Sequence, residues 1–211
     1  MKNISEDKSF FRIIGITGEA GAGKSVVISY LKEHYPCRVL MADEIGNRVK
    51  EPGQRCYESV IELLGEEIVL SDKTLDRALI AEKIFADKTL LDRMNAIIHP
   101  AVHDEIFEQI ETVKKAGKIH FVFIEAALLI EAGYIDEIDE LWYICCDSQS
   151  RRNRLKETRG YSDERIDGIM KQQLDTDTFI QFADRVIMNN TTKEELYQKI
   201  DTIMGEYQWA N

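Results

Sequence analysis

The sequence lacks internal repeats, low-complexity tracts and Gly/Ser-rich linkers, and these absences indicate one substantial domain with a small insertion. Its four cysteines form no C-x-x-C pair, which argues against metal and disulfide roles and favours buried free thiols. The apolar run over residues 121–130 is too short to span a membrane and contains Glu125. Arg12 interrupts the apolar residues near the amino terminus, so no signal peptide is predicted. We therefore expect a cytoplasmic protein with no membrane partner.

Positive charge is also scarce. Lys and Arg number 27 against 38 Asp and Glu, so the net charge is −11. This balance argues against a surface that coats nucleic acid. The hydrophobic fraction of 44% and the charged fraction of 31% are typical of a globular protein that buries a proper core. An anionic ligand would therefore need a local cationic pocket.

The most informative segment present is residues 18–25, GEAGAGKS, which fits the phosphate-binding pattern G-x-x-x-x-G-K-[ST] without a mismatch. It follows a predicted buried strand over residues 11–17 and opens a predicted helix over residues 24–33. In such a loop, backbone N–H groups and the helix amino terminus bind phosphate, Lys24 reaches the β- and γ-phosphates, and the Ser25 hydroxyl ligates Mg²⁺. The segment predicts binding of ATP with Mg²⁺. The predicted nucleotide contacts here are Gly18, Gly21, Ala22, Gly23, Lys24, Ser25 and Val26.

Strand and helix patterns alternate along the chain, which predicts an α/β fold: a parallel-sheet P-loop core with helices on both faces. The further predicted strands cover residues 38–41, 119–126, 140–146 and 185–188. Residues 44–117 show mostly helical periodicity, with Pro100 placed in the first turn of a helix. We therefore assign residues 10–44 and 117–211 to the core, and residues 45–116 to a helical, substrate-binding insertion.

Two acidic residues end predicted strands, where ligands gather in doubly wound sheets. Asp43 follows the second strand and could accept a proton from an attacking hydroxyl, or equally well could cap the helix that begins near Glu44. Glu125 ends an apolar strand and is similar in position to the magnesium-holding acid of phosphate-loop enzymes. Its alternative is a surface residue at a strand end.

Residues 151–160, RRNRLKETRG, hold five cations and one anion. Arginines over a triphosphate neutralise charge that develops during phosphoryl transfer, and Arg154 and Arg159 are the better candidates. Arg151 and Arg152 fit a solvated helix face. His99 and His103 have the i, i+4 spacing of metal ligands, but no further ligand completes a set nearby. His99 therefore fits a helix-start residue or a substrate contact.

The order of these features, with several short motifs between them, resembles the dephospho-CoA kinase family from residue 13 to about residue 190. The motifs are Ala42-Asp43, the run over residues 49–53, Leu75-Asp76-Arg77, Ile84-Phe85, residues 95–100, Leu128-Leu129 with Glu131, Arg154-Leu155, Arg159, Ala183-Asp184, Val186-Ile187 and Asn189.

The resemblance implies ATP-dependent phosphorylation of the ribose 3′-hydroxyl of dephospho-CoA, the last step of CoA synthesis. It implies Asp43 as general base, Lys24 and Arg154 as catalytic cations, and Arg77 and His99 as substrate contacts. It also implies an arginine-rich lid over residues 148–175 and an approach of Asn189 to the adenine.

The chain also departs from the family pattern. Glu19-Ala20 and Ala22 alter the usual loop GGIGSGKS, and Glu19 is unfavourable beside phosphates unless its side chain points to solvent. Met41, Glu125 and Ala127 are further departures. Two alternatives therefore stay open: another small-molecule kinase, of nucleoside or shikimate type, and an ATP-binding regulatory protein without catalysis. Asp43 and the arginine lid argue against the second. We expect a monomer or a weak homo-oligomer, while the choice between ATP and GTP is left open.

Overall fold

The computed structural model describes residues 10–127, 129–130, 132–173 and 176–207, which form an α/β fold. The strands are β1 (Arg12–Thr17), β2 (Cys37–Met41), β3 (Phe121–Glu125), β4 (Glu140–Cys145) and β5 (Arg185–Met188). The helices are α1 (Lys24–His34), α2 (Ala42–Arg48), α3 (Tyr57–Leu64), α4 (Arg77–Ala86), α5 (Lys88–Ala116), α6 (Ser148–Arg159), α7 (Asp163–Gln172), α8 (Thr176–Phe182) and α9 (Lys193–Glu206). Short 3₁₀ turns cover Glu66–Ile68 and Tyr134–Glu137.

The strands form one sheet in the order β2-β3-β1-β4-β5, and the predicted α/β class with a parallel sheet is confirmed. β1 lies at the centre and pairs in parallel with β3 on one side and β4 on the other. Ile16 is in register with Glu125, and Thr17 with Tyr143. The carboxyl ends of these three strands therefore meet at one edge, which is where ligands bind in doubly wound sheets.

Large apolar side chains from the central strands fill the core. All five residues of β3 are buried, and so are the last five of β4. Phe123 packs edge-on against Trp142 with 5.5 Å between ring centroids. Continuous apolar runs of this kind are typical of parallel strands covered on both faces. They give the loop that leaves β1 a rigid base.

The chain divides into two compact units, and the boundary falls inside β2. One unit comprises the residues up to Val39 and from Val113 onward, and it contains the phosphate loop. The other comprises Leu40–Thr112 and is helical. The role predicted for residues 45–116, binding of the acceptor, stays a prediction.

Within the helical unit, α3 ends before Gly65 as predicted, and α4 covers most of the second predicted helix. The predicted helix start at Pro100 is wrong, because α5 continues through this residue for 29 residues in all. Proline lacks the N–H that would donate to the carbonyl four residues earlier, so the sequence pattern favours a break. Packing of Ile98, Val102 and Ile106, all buried on α5, offsets that loss. His99 is therefore an exposed mid-helix residue and does not start a helix.

Candidate active site

The phosphate loop joins β1 to α1 and lies very close to β4. Gly18 has a φ of +147°, and a Cβ built on it would lie 2.1 Å from the backbone oxygen of Ile144. Any side chain here would meet backbone of β4, which cannot rotate away as a side chain can. Glycine at this position therefore lets the loop pack against the sheet.

Lys24, the first residue of α1, is held between the loop and β3. Its Nζ donates to the Gly18 carbonyl at 2.7 Å and lies 3.9 Å from Glu125 Oε1. Both side chains are largely buried, with 15% and 10% exposed. The first turn of α1 contains no acidic residue, and the helix has no side-chain cap. The partial positive charge of this helix end is therefore available to an anion.

Arg154 and Asn189 support the same loop. The Arg154 guanidinium donates to the Ala22 carbonyl at 3.3 Å, to Cys146 Sγ at 3.4 Å and to the Asn189 carbonyl at 2.8 Å. Asn189 is buried, and its Nδ2 donates to the Ala22 carbonyl at 2.8 Å. The Asn189 side chain thus contacts the loop backbone, a contact that sequence reasoning missed.

Glu19 and Arg151 do not occupy the solvated positions considered from the sequence. Glu19 is 4% exposed and Arg151 6%, and Arg151 Nη1 donates to Glu19 Oε1 at 2.9 Å. A buried charge is costly unless it has a partner of opposite charge, and here each side chain provides that partner for the other. The interpretation of Arg151 as part of a solvated face is therefore wrong.

The predicted lid segment contains α6 and α7; its residues 174 and 175 lie outside the described part of the chain. Arg159, the last residue of α6, is exposed and lies beside the Tyr161 ring at 5.9 Å. Arg152 forms ion pairs with Asp163, at 2.8 Å, and with Asp167. These pairs join α6 to α7. Both arginines belong to α6, but the Arg159 side chain is exposed at the end of the helix, whereas the Arg154 side chain contacts the phosphate loop.

A metal ion would find few protein ligands here. Among the residues that the structure describes, no three His, Cys, Asp or Glu side chains form a group that could hold one. Mg²⁺ nevertheless suits this site, because it commonly binds one or two protein oxygens together with phosphate oxygens and water. The Ser25 hydroxyl and the Glu125 carboxylate are oxygen donors of the required kind, so the residues present fit the ion.

The helical unit contains a cavity of about 620 Å³. Apolar side chains, among them Leu75, Ile80 and Ile84, line it together with Lys50 and Arg77. Burial, helped by the nearby charge of Arg77, lowers the pKa of Lys50. Glu51 also lines the cavity, which thus combines an apolar wall with two cationic side chains and one carboxylate. The excess of positive charge suits a ligand with anionic and apolar parts. His99, the other predicted substrate contact, is not among the residues that line it.

Asp43 lies in the first turn of α2, two residues after β2 ends. The N-cap of α2 is Met41, so the alternative in which Asp43 caps this helix is wrong. The helix begins two residues earlier than the sequence pattern indicated. The Asp43 side chain is exposed, so its carboxylate is accessible to a ligand.

Comparison with known proteins identifies the family. The profile of the dephospho-CoA kinase family matches residues 12–195. The chain belongs to the dephospho-CoA kinase family. The dephospho-CoA kinase of Geobacter sulfurreducens is 34% identical over 194 residues, which cover 92% of this chain and 98% of the relative. This confirms the predicted family. It also confirms the predicted enzyme class, a nucleotide-binding phosphotransferase of CoA biosynthesis.

Solved structures agree in fold. A crystal structure of a Thermus thermophilus protein has a TM-score of 0.79 at 26% identity and covers 94% of this chain and 98% of its own. The dephospho-CoA kinase from Campylobacter jejuni has a TM-score of 0.70 at 20% identity, covering 92% and 96%, which supports the fold alone. Leu128 and Glu131, two of the family motif residues, lie outside the described residues. In the part of the chain that is described, no helix has the length and apolar character needed to cross a membrane.

Proposed function

We propose that this chain transfers the γ-phosphoryl group of ATP to the ribose 3′-hydroxyl of dephospho-CoA. The main support for this proposal is the complete phosphate loop in a chain that belongs to the dephospho-CoA kinase family. The loop packs on β4, and Lys24 donates to its Gly18 carbonyl. The loop differs from the usual family sequence at residues 19, 20 and 22, and these differences leave Lys24 and Ser25 in place. The catalytic contribution on the nucleotide side is positioning together with stabilisation of charge.

Lys24 and Arg154 are the proposed cations for the transferred phosphoryl group. Both are held on loop carbonyl oxygens, so their charges are in place before the nucleotide arrives. The three hydrogen bonds of Arg154 leave further N–H donors of its guanidinium for a phosphate oxygen. Ser25 and Glu125 would hold Mg²⁺, which supplies neutralisation of charge on the β- and γ-phosphates.

Asp43 is the proposed general base, because it is an exposed carboxylate directly after β2 that caps no helix. It would take the proton of the 3′-hydroxyl as that oxygen attacks the γ-phosphorus and ADP leaves. Arg77 and Lys50 are proposed to contact the phosphates of dephospho-CoA, with the apolar wall of the cavity beside its pantetheine arm. The substrate role of His99 rests on the family resemblance alone.

The two remaining assignments concern the lid and Asn189. Arg159, exposed at the end of α6, is proposed to reach the nucleotide when the lid excludes water. Asn189 is proposed to support the loop through Ala22, since its side chain is buried and already bonded there. The adenine contact that the family resemblance implied stays a prediction beside this role.

The test is the acceptor dependence of ADP release from ATP·Mg²⁺ by the purified chain. Dephospho-CoA is compared with adenosine, uridine, shikimate and buffer, and the Lys24→Ala variant is the control for the loop. ADP release with dephospho-CoA alone, together with appearance of CoA, is the expected result. Equal release with another acceptor would support a different small-molecule kinase. ATP binding without transfer to any acceptor would support the regulatory alternative.

A further inference from the structure

Two residues of the phosphate loop, Glu19 and Ala20, are held by both ends of the α6–α7 hairpin. Arg151, in the first turn of α6, donates from Nη1 to Glu19 Oε1 at 2.9 Å and from Nε to the Ala20 carbonyl at 3.1 Å. Gln173 directly follows α7, and its Oε1 accepts from the Ala20 N–H at 3.2 Å and from Arg151 Nη2 at 2.8 Å. The start of α6 therefore bonds to both loop residues, and the end of α7 joins it at Ala20.

The guanidinium of Arg151 thus connects three separate oxygens: a carboxylate, a loop carbonyl and a side-chain amide. A planar fork with five donors can do this, whereas the ammonium group of lysine is a point charge. The Glu19–Arg151 pair is screened from water, because both side chains are more than nine-tenths buried. Its hydrogen bonds are correspondingly stronger than those of an exposed pair.

The loop also contacts the backbone of α6. A Cβ on Gly21 would lie 2.9 Å from the Arg151 carbonyl oxygen, so this part of the loop has no room to shift toward the helix. Glu19 Oε1 accepts a further hydrogen bond from Thr176 Oγ1 at 3.4 Å, at the start of α8. The loop is therefore fixed from several directions around Glu19.

We propose that Arg151 and Glu19 are positioning residues for ATP: they fix the phosphate loop on the base of the α6–α7 hairpin in the conformation that binds the triphosphate. The pair also keeps the Glu19 carboxylate, an anion in a phosphate-binding loop, neutralised and turned into the protein. This inference rests on the proposed function for the identity of the nucleotide. The usual loop of the family has glycine at position 19, so the anchor belongs to this chain's own loop.

The experiment compares ATP binding by Arg151→Lys, Arg151→Gln, Glu19→Gln and the wild type, by calorimetric titration with ATP without acceptor. Arg152→Gln is the matched control, because Arg152 is the neighbouring arginine on α6 and forms ion pairs that do not touch the loop. Measurements are made at a temperature at which circular dichroism shows every variant folded. Wild-type transfer to dephospho-CoA, assayed separately, decides the proposed function independently of these affinities.

Both Arg151 variants are expected to bind ATP at least tenfold more weakly, with KM for ATP raised and KM for dephospho-CoA unchanged within twofold. Arg151→Lys is the most informative variant, because it keeps a cation opposite Glu19 and loses only the forked set of guanidinium donors. It also provides the test if Arg151→Gln does not fold. Glu19→Gln keeps an oxygen acceptor for Arg151, so a loss of no more than about threefold is expected.

Three results would overturn the proposal. Folded Arg151 variants that bind ATP within twofold of the wild type would leave the pair with a role in stability only. An Arg151→Lys variant with wild-type affinity beside a weak Arg151→Gln would reduce the role of Arg151 to charge neutralisation. An Arg152→Gln variant as weak as Arg151→Gln would place the effect in the hairpin as a whole and not in its contact with the loop.

Discussion

Replacing Gly18 by alanine tests whether the phosphate loop needs its close approach to β4. The new Cβ would lie 2.1 Å from the Ile144 oxygen, about 1 Å inside the shortest contact that a Cβ makes, and φ is +147°. Unfavourable backbone at positive φ costs about 1–2 kcal/mol. Overpacking against a rigid neighbour adds about 1–3 kcal/mol. Together they lower the free energy of unfolding by about 2–5 kcal/mol, which for a chain of this size corresponds to a fall in Tm of roughly 4–20 °C.

The loop can relieve this clash only by moving away from β4, and the Gly18 carbonyl moves with it. Lys24 then loses its acceptor at 2.7 Å, so ATP affinity is expected to fall at least tenfold, about 1.4 kcal/mol. The control is Gly160→Ala, after α6, where φ is +62° and nothing lies within 4 Å of the added Cβ. The backbone cost of about 1–2 kcal/mol alone should lower Tm by about 2–8 °C and leave ATP binding unchanged. Calorimetry measures both quantities. A Gly18→Ala protein that matches Gly160→Ala in Tm and in ATP affinity would refute the reasoning.

Three further predictions follow from the site and its surroundings. Lys24→Ala should abolish transfer or weaken ATP binding at least tenfold by calorimetry, whereas wild-type kinetics would remove Lys24 from the mechanism. Asp43→Asn should lower kcat by about 10²–10⁴-fold with ATP affinity unchanged, while Glu44→Gln in the same turn should leave kcat near normal; equal effects in steady-state assays would exclude Asp43 as base. Burial, with a hydrogen bond to Asp201, raises the pKa of Tyr30 to about 12. The folded state therefore holds this proton more tightly than the unfolded state, so its contribution to stability is complete below pH 10 and is lost toward pH 12. Urea titrations should show a shallower decline over that range in Tyr30→Phe, and an unchanged decline would contradict the assignment.

The fold was largely predictable because its strands have simple sequence patterns. β1, β3 and β4 are largely apolar and mostly buried; Gly18 follows β1, and a polar segment begins at Asp147, shortly after β4. Where the prediction failed, local signals opposed tertiary packing. Pro100 indicates a helix start, yet α5 passes through it. α7 and α8 were not predicted, because their residues are mostly polar; among those whose burial the structure describes, Ile166 and Phe179 are the buried ones.

The site residues were predictable only where a residue type within a sequence motif has one main chemical role. Lys24 lies where the phosphate-loop pattern places it, directly at the start of α1. Arg151 shows the opposite case: a charged run on a helix usually faces solvent, and nothing local indicates which arginine is buried. Its partner Glu19 is 132 residues away in sequence, so the pair becomes visible only once the sheet brings the loop and α6 together. The unusual acid in the phosphate loop was the available signal, because a carboxylate there requires either solvent or a cation.

Three cations of the site contact the carbonyl oxygens of alternate loop residues. Lys24 binds the oxygen of Gly18, Arg151 that of Ala20, and Arg154 that of Ala22. Carbonyl oxygens carry partial negative charge and would repel a triphosphate if they faced it, so pairing each of them with a cation removes that repulsion. The sequence suggested that Lys24 and Arg154 act on ATP directly and placed Arg151 on a solvated face, whereas in the structure all three donate to loop carbonyl oxygens. In a chain of net charge −11, this concentrates positive charge at the one segment where an anionic nucleotide is proposed to bind.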